Sequence, residues 1–456
     1  MKKQPNFITS RFERTSVGLY AFGTILSYYM IMSYLQLYMT DIGISAVAVG
    51  LIFIFAKVWD AVNDPIFGVL VDKVNLKGGK YRPWLRISSI AIPVTTVLLF
   101  IVPAQASVQA KIIWSSVAYV LWDPAYTMCD VPMNAIVTAM TESTFERNKM
   151  FALNAFFVYL GGLLVAIAVP MLYPAIGWGT TAIILAVLAT VAMLPVGFKA
   201  KERFVPQKEE EASIKDIILS LLKNKYLLIY TLSAIVGSLT DFSGTLNAYV
   251  AIHCLGDQSY ITLLSLASAV PVLFVVLFVP RLLEKVEKYT AYLVTRIATI
   301  AISIIIWLVG YQNVGLLLAL IVVKTLFGSV WGIMAVMFIA DCVEYGQYTT
   351  GERNQGIAFA TKAFTNKIIV ALTGALGMFG LAAYGFVEGE GVVQTAETVQ
   401  GIWNLYGLGP IVGAVLSLVI LVVGYKLRDA DVKTMIACNA GEISREEAES
   451  RFTRKF

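Results

Sequence analysis

The chain has 456 residues, of which 58% are hydrophobic and only 14% are charged, with a net charge of +5. Soluble proteins carry about 25% charged residues, so this composition excludes an ordinary soluble domain and predicts a polytopic membrane protein. Four scattered cysteines and a single histidine, His253, argue against a Cys/His metal knuckle, a disulfide framework and histidine-based catalysis.

The apolar segments, taken in chain order, predict an all-α fold of twelve transmembrane helices, six in each half of the chain. Several exceed the roughly 20 residues that cross a bilayer, so we expect tilt or extension beyond the membrane. The spans predicted for the first half are residues 15–39, 45–72, 84–103, 110–140, 149–172 and 176–198. Those predicted for the second half are residues 225–253, 259–281, 290–310, 314–345, 354–386 and 399–427.

A charged segment separates the two halves and defines the predicted domains. Residues 199–224 begin as a charge-rich linker and end in "SIKDIILSLLKNK", whose pattern predicts an amphipathic helix on the membrane surface. We therefore expect an N-terminal six-helix bundle over residues 1–198 and a C-terminal six-helix bundle over residues 225–428. Residues 429–456 are expected to form a short, charged cytoplasmic tail.

The distribution of basic residues predicts the orientation of the chain. An even number of spans places both termini on one side of the membrane. If that side is the inside, Lys111 falls at an outer loop and five of the 35 Lys and Arg fall within spans, which leaves 29 on the inner side. This asymmetry is what the positive-inside rule predicts. We therefore expect a multi-pass protein of the cytoplasmic membrane with cytoplasmic N- and C-termini.

Span 2 carries acidic residues at bilayer depth, in "KVWDAVNDPIFGVLVDK". Asp60 and Asp64 are four residues apart on one helix face, beside Asn63, and an ionised carboxylate there costs about 2.5–3.5 kcal/mol. Pro65 removes a backbone donor and frees a carbonyl. These oxygens suit a hard cation, such as Na⁺ at Asp60 and Asp64, or a proton on either carboxylate. The alternative is an internal ion pair, in which Lys57 neutralises Asp60.

Span 4 repeats this pattern in "LWDPAYTMCDVPMN". Asp123 and Asp130 are seven residues apart on one face, with Thr127 between them. A carboxylate accepts two hydrogen bonds from sugar hydroxyls, so this face is a candidate for solute binding. The alternative is a buried acid that pairs with a lysine of the other half.

Three basic segments indicate a gate at the inner side. In "GVLVDKVNLKGGKYRPW", Asp72 is placed to pair with a basic residue such as Arg82; the alternative is an ion pair that only stabilises the loop and anchors it by the positive-inside rule. A weak internal repeat, "ERNKMFALNAF" and "ERNQGIAFATKAF", recurs after 206 residues and opens the fifth span of each half. Its arginines, Arg147 and Arg353, are assigned to the same gating function.

The second half offers a tryptophan and three lysines inside predicted spans. Lys324 and Trp331 are seven residues apart and face the same way. Trp331 offers a flat apolar surface to a sugar ring, or else packs against lipid or protein. Lys362 and Lys367 are five residues apart and do not share a face closely, and one of them could pair with an acid of the first half. Lys324 and Lys362 are each left open as a solute contact or an ion-pair partner.

The motifs "WDAVNDPIFGVLVDKVNLKGGKYRPW", "YTMCDVPMN" and "DCVEYGQYTTGERNQGIAFATKAFTNK" resemble those of the glycoside–pentoside–hexuronide:cation symporters, which include the melibiose and glucuronide carriers. The resemblance covers nearly the whole chain. It implies the major facilitator fold, built from two half-repeats, and uptake of a sugar or glycoside driven by Na⁺ or H⁺. The implied cation ligands are Asp60, Asn63, Asp64 and Thr127, and the implied solute-binding positions are Asp130, Trp331 and Lys367.

The chain departs from the melibiose-type pattern at the solute positions. Thr24 and Ile25 stand where those carriers have a Lys-Asp pair, Asn134 replaces a tryptophan, and Asp123 is an addition. Asn134 and Asp123 therefore join the candidate solute-binding residues. These departures indicate a different glycoside or a non-sugar solute, and the interior lysines leave an anionic sugar such as a uronate open.

The sequence predicts a carrier that works by alternating access, with a small solute and the lipid bilayer as partners. No cofactor beyond the coupling ion, no nucleic acid and a monomeric state are expected. A membrane enzyme would need a nucleophile–base pair, a metal cluster or a cofactor loop, which the sequence lacks. A sensor that binds the solute without transporting it is the alternative from a different class.

Overall fold

The computed structural model describes residues 7–74, 76–204 and 214–453, and every regular element in them is helical. The helices before the charged segment are α1 (Arg11–Asp41), α2 (Ala46–Lys73), α3 (Arg82–Phe100), α4 (Val108–Met140), α5 (Thr144–Ile176) and α6 (Trp178–Lys199). The following helices are α7 (Ile214–Lys223), α8 (Lys225–Leu239), α9 (Ser243–Tyr249), a π-helical turn (Val250–Cys254), α10 (Tyr260–Leu283), α11 (Lys288–Val309), α12 (Val314–Thr350), α13 (Gln355–Ala383), α14 (Ala396–Gly424), α15 (Asp429–Asn439) and α16 (Arg445–Arg451).

Twelve long helical stretches among the described residues agree with the predicted spans. Ten have the length and apolar composition that cross a membrane. The other two, α1 and α4, contain 31 and 33 residues but more polar side chains. The short α7 confirms the predicted helix that precedes the second half.

The predicted span over residues 225–253 is confirmed as the apolar stretch Lys225–Cys254, but it is not one continuous helix. The structure divides it into α8, α9 and the π-helical turn, with a break at residues 240–242. In this break, Thr240 Oγ1 donates to the carbonyl oxygen of Gly409, 2.8 Å away. The backbone N–H of Ser243 donates to Asp241 Oδ1 over 3.3 Å. Side-chain hydrogen bonds thus replace the helical ones, as local polar groups can.

Serines begin four helices in the first half, which explains where these helices start. Each serine hydroxyl accepts a hydrogen bond from the backbone N–H three residues on, and Ser10 adds a reciprocal bond to Glu13. Such caps satisfy donors that have no partner inside the helix. The capping residues are Ser10, Ser45, Ser107 and Ser143.

The chain divides into two compact units, which we call unit 1 (residues 1–209 with 386–393) and unit 2 (residues 210–385 with 394–456). In unit 1, α1 packs against α3, α5 and α6, while α4 packs against α2 and α3. A glycine permits a close approach of α1 and α5, because a Cβ atom on Gly161 would overlap Ile25. The α2–α4 contact positions the polar cluster described below.

Residues 386–393 bind to unit 1 although they follow α13 in the chain. The backbone N–H groups of Gly389 and Glu390 donate to the carbonyl oxygens of Thr40 and Asp41, each over 3.0 Å. Glu388 Oε1 accepts a 2.7 Å hydrogen bond from the backbone N–H of Ala46, the first residue of α2. This segment therefore forms hydrogen bonds with the C-terminal end of α1 and the N-terminal end of α2.

In unit 2, α8 packs against α14, and α12 packs against α10 and α11. An aromatic core joins these helices through Tyr230, Tyr292, Phe338 and Tyr425. This core lies directly beside Trp331, whose ring centroid is 4.8 Å from that of Tyr292.

The predicted tail forms α15 and α16, and both belong to unit 2. Asp431 is fully buried and accepts hydrogen bonds from the N–H and hydroxyl of Thr453, at 2.7 Å and 2.9 Å. Lys288 Nζ lies 2.6 Å from Asp341 and 3.4 Å from Asp429. The charges of this segment are thus used to fasten it to α11 and α12.

Candidate cation and solute sites

Helices α2 and α4 bring four polar residues of the predicted sites together. Asn63 Nδ2 donates to Thr127 Oγ1 over 2.9 Å and to Asp123 Oδ2 over 3.3 Å. The Thr127 hydroxyl in turn donates to Asp64 Oδ1 over 3.2 Å. Asn63 and Asp123 are each only 3% exposed. The cluster is therefore a connected hydrogen-bond network inside unit 1.

The local helix geometry explains why these residues meet. Asp123 and Thr127 are four residues apart and therefore lie on the same face of α4, one turn from each other. The two hydrogens of the Asn63 amide can thus reach both side chains. Asn63 and Asp64 are adjacent on α2, and their side chains reach the two sides of Thr127. Sequence analysis assigned Asp123 to solute binding, whereas the structure places it on Asn63, a predicted cation ligand.

Asp60 lies one turn before Asp64 and is buried. Its Oδ2 atom accepts a hydrogen bond from Lys57 Nζ over 3.4 Å. The ion pair raised as an alternative is therefore present, at a distance near the upper limit for a hydrogen bond. This ion pair partly compensates the negative charge of Asp60. The Asp60 carboxylate still lies beside the Asn63 network.

The chemistry of this network suits a small hard cation or a proton. The amide hydrogens of Asn63 are directed at Thr127 and Asp123, so its oxygen remains an acceptor, next to carboxylate and hydroxyl oxygens. Within the described part of the chain, no group of three or more His, Cys, Asp or Glu side chains forms a metal centre. The carboxylate, amide and hydroxyl oxygens of this network are donors that suit a hard cation, and a carboxylate can also take a proton.

The two other α4 candidates lie further along the helix. Asp130 and Asn134 are exposed, and Asn134 Nδ2 donates to the carbonyl oxygen of Asp130 over 3.2 Å. Asp130 follows Thr127 by three residues, one turn away. The exposed position leaves the Asp130 carboxylate accessible to a solute.

Unit 2 contains a pocket of about 270 Å³ among α8, α12 and α13. Trp331 and Lys362 line it, and Lys367 does not. Sequence analysis did not single out the other polar lining residues, although the spacing of 362, 365, 366 and 369 marks one face of a helix. The residues missed are Tyr230, Thr231, Ser238, Thr365 and Asn366.

The residues predicted to form a gate lie at helix ends. Arg82 donates to the carbonyl oxygen of Phe198 over 2.9 Å, and the side chain of Asp72 lies outside the described residues. Sequence analysis missed Glu202, which accepts hydrogen bonds from the N–H groups of Lys80, Tyr81 and Arg82 at 2.7–2.9 Å. Glu202 therefore fastens the loop before α3.

The two arginines of the repeat have different partners. Arg147 donates to the carbonyl oxygen of Glu142 over 3.3 Å. Arg353 forms a 2.7 Å ion pair with Glu344, which also accepts a hydrogen bond from Asn439 of α15. Only Arg353 is thus joined to a carboxylate among the contacts the structure describes.

The sequence and the fold were compared with known proteins. The family model of the MFS/sugar transport proteins matches residues 16–429. The isoprimeverose transporter of Lactiplantibacillus pentosus is 28% identical over 440 residues, which cover 93% of this chain and 90% of that protein. The glucuronide carrier protein homolog of Escherichia coli (strain K12) is 25% identical over 440 residues, covering 93% and 94%. The crystal structure of the nucleoside transporter NupG matches the fold with a TM-score of 0.67 at 12% identity, covering 91% and 100%.

Proposed function

Because this chain belongs to the MFS/sugar transport protein family, and is therefore a secondary active transporter rather than an enzyme, we propose that it imports a sugar or glycoside with Na⁺ or H⁺. Among its relatives are proteins named as an isoprimeverose transporter and a glucuronide carrier homolog. We place it in the cytoplasmic membrane as a monomer with both termini in the cytoplasm, since the positive-inside rule favours that orientation.

The observation that carries the proposal is the network of Asn63, Thr127 and Asp64, with Asp60 one turn away. Intramembrane acids are expensive and occur where an ion is bound or moved. The coupling ion binds to the oxygens of these four residues, and its single positive charge together with that of Lys57 compensates the two carboxylates. The buried position of Asp60, Asn63 and Thr127 supports this assignment.

The solute binds next to the cation along α4. Asp130 is exposed and one turn from Thr127. A shift of α4 that accompanies cation binding therefore also moves the Asp130 carboxylate, which is the proposed binding group for the solute. Each ligand then raises the affinity for the other by the same factor. In unit 2, Trp331 lines a pocket and offers it an apolar surface, and Lys367 stays a proposed solute contact by its position in the motif alone. Both halves of such a carrier contribute to one transport cycle.

Uptake into proteoliposomes tests this function. With an imposed Na⁺ or pH gradient, the wild-type protein is expected to accumulate at least one sugar or glycoside. Asp64→Cys should abolish the stimulation by the gradient, because it removes a cation ligand. Asp130→Cys should mainly weaken solute binding. Asp257→Cys, in an exposed loop, serves as the matched control and should behave like the wild type.

Two results would contradict the proposal. The first is uptake that ignores both gradients in the wild-type protein. The second is unchanged gradient-driven uptake in both the Asp64 and the Asp130 variants, which would remove the site assignment while leaving the carrier function in place.

A further inference from the structure

The pocket of unit 2 contains a positive charge without a matching negative one. Lys362 is the one charged residue among the thirteen described residues that line the pocket, and it is half-buried. Among the described contacts, its ammonium group has no hydrogen bond and no ion pair. A charge removed from water without a partner is costly, so an anion bound in the pocket would relieve that cost.

The charged groups of unit 2 differ in whether the structure describes a partner for them. Lys288 pairs with Asp341, and Arg353 pairs with Glu344. Lys324 of α12 resembles Lys362 in being half-buried without a described partner, yet it does not line the pocket. Among the described residues that line this pocket, Lys362 alone carries a charge, and no described group compensates it.

The remaining lining suits a sugar ring. Trp331 and Tyr230 stand side by side, with ring centroids 5.3 Å apart, and form an aromatic wall on which the C–H face of a ring can pack. Thr231, Thr365 and Asn366 provide hydroxyl and amide groups for ring hydroxyls. The volume of about 270 Å³ is close to the lower limit of roughly 300 Å³ for small-molecule sites. This volume suits one small ligand.

The position of Lys362 on α13 directs its charge toward the same ligand. Lys362, Thr365 and Asn366 follow each other at helical spacing on one face, and all three line the pocket. Lys367 lies on another part of the helix surface and outside the lining. The ammonium group, the hydroxyl and the amide can therefore contact one molecule at once.

We propose that the pocket selects a monoanionic sugar, one that carries a single carboxylate or sulfonate, and that Lys362 is the residue that determines this specificity. The proposal rests on the proposed transport function and adds the charge of the substrate. The acid group pairs with Lys362, and the ring packs on Trp331. A neutral sugar of the same ring would leave the ammonium group uncompensated.

Counterflow in proteoliposomes tests the proposal with the intact protein. The probes are D-glucuronate, its uncharged methyl ester, 6-deoxy-6-sulfo-D-glucose, D-glucose and D-xylose. The wild-type protein should exchange glucuronate or the sulfonated sugar at least tenfold faster than glucose, and esterification should remove the advantage of glucuronate. The charged probe that exchanges faster identifies the acid group as carboxylate or sulfonate.

Variants then test the role of Lys362 itself. Lys362→Gln should reduce the ratio of acidic to neutral sugar exchange at least tenfold, and Lys362→Arg should retain most of it because the charge is kept. Lys324→Gln is the matched control and should keep the wild-type ratio. Thermal melting of each purified variant shows whether it is folded, and the methyl ester comparison needs no variant at all.

The outcomes separate this inference from the function on which it rests. Exchange of glucose or xylose without exchange of either acidic sugar would overturn the inference and keep the carrier function. Equal exchange of glucuronate and its methyl ester would also overturn the inference. Exchange of none of the five probes would overturn the inference, and the uptake test with glycosides described above would then decide separately whether the carrier function stands.

Discussion

At the scale of single residues, the Thr127 hydroxyl links the side chains of α2 and α4 that form the candidate cation site. It accepts a hydrogen bond from Asn63 and donates one to Asp64, and therefore holds α2 and α4 side chains in one arrangement. The motif around Asp60 and Asp64 predicted acids on one helix face. It did not predict that Asp123, a residue assigned to the solute, would bond to Asn63, because that contact depends on how two helices pack.

Replacement of this hydroxyl is expected to weaken cation binding. Thr127→Val keeps the shape of the side chain but removes a hydrogen bond to a charged group, worth about 1.5–3 kcal/mol. Since 1.4 kcal/mol corresponds to tenfold in affinity, the cation concentration for half-maximal stimulation of uptake should rise about tenfold or more. Thr127→Ser retains the hydroxyl and should stay within a few-fold of the wild type. Equal effects of both variants would show that the hydroxyl has no role.

At the scale of helices, the capping residues differ in the number of helices to which they are hydrogen-bonded. Asn224 precedes α8, accepts a hydrogen bond from the N–H of Leu227 over 3.1 Å and donates to the carbonyl oxygen of Cys342 over 2.6 Å. It therefore caps one helix and anchors it to α12. Asn313 caps α12 with a 3.0 Å bond from the N–H of Leu316, and its side chain is exposed.

This difference predicts unequal losses of stability. Asn224→Ala removes a cap, at about 0.5–2 kcal/mol, and also the buried hydrogen bond to the Cys342 carbonyl, at about 0.5–1.5 kcal/mol more. Asn313→Ala removes only a cap. Thermal melting in detergent should therefore show a clearly larger fall in Tm for the Asn224 variant. A fall as large for Asn313→Ala would mean that the bond to Cys342 adds nothing.

At the scale of the whole molecule, short polar segments outside the spans bind to the ends of the long helices. Residues 386–393 close the ends of α1 and α2 in unit 1, and α15 is fastened to unit 2 through Asp429 and Asn439. Both segments are polar loops or tails in the sequence pattern. Hydropathy alone therefore predicted that they lie outside the spans, but not where they bind.

Labelling of single cysteines in intact cells tests the twelve-span topology, in particular for the more polar α1 and α4. In a variant without the four native cysteines, a membrane-impermeant thiol reagent should label the outer positions only, because the basic loops remain inside. The expected outer positions are Gly43, Gln105, Gly177, Gly256, Gln312 and Gly389. The expected inner positions are Lys77, Glu142, Lys201, Lys285 and Glu352. Labelling of Lys77, or of Glu142, from outside would contradict a crossing by α1 or α4.

The amino-acid sequence by itself determined the class of the protein, the twelve long helices and the acids of span 2, because hydropathy and helical spacing are local properties of the chain. It also identified the family through contiguous motifs. Tertiary structure alone decided three features: the pocket around Lys362, the hydrogen bond between Asp123 and Asn63, and the break at Thr240. Each depends on contacts between helices far apart in the chain, such as α2 with α4 or α8 with α14, and one helical face can be oriented only when its neighbours are in place.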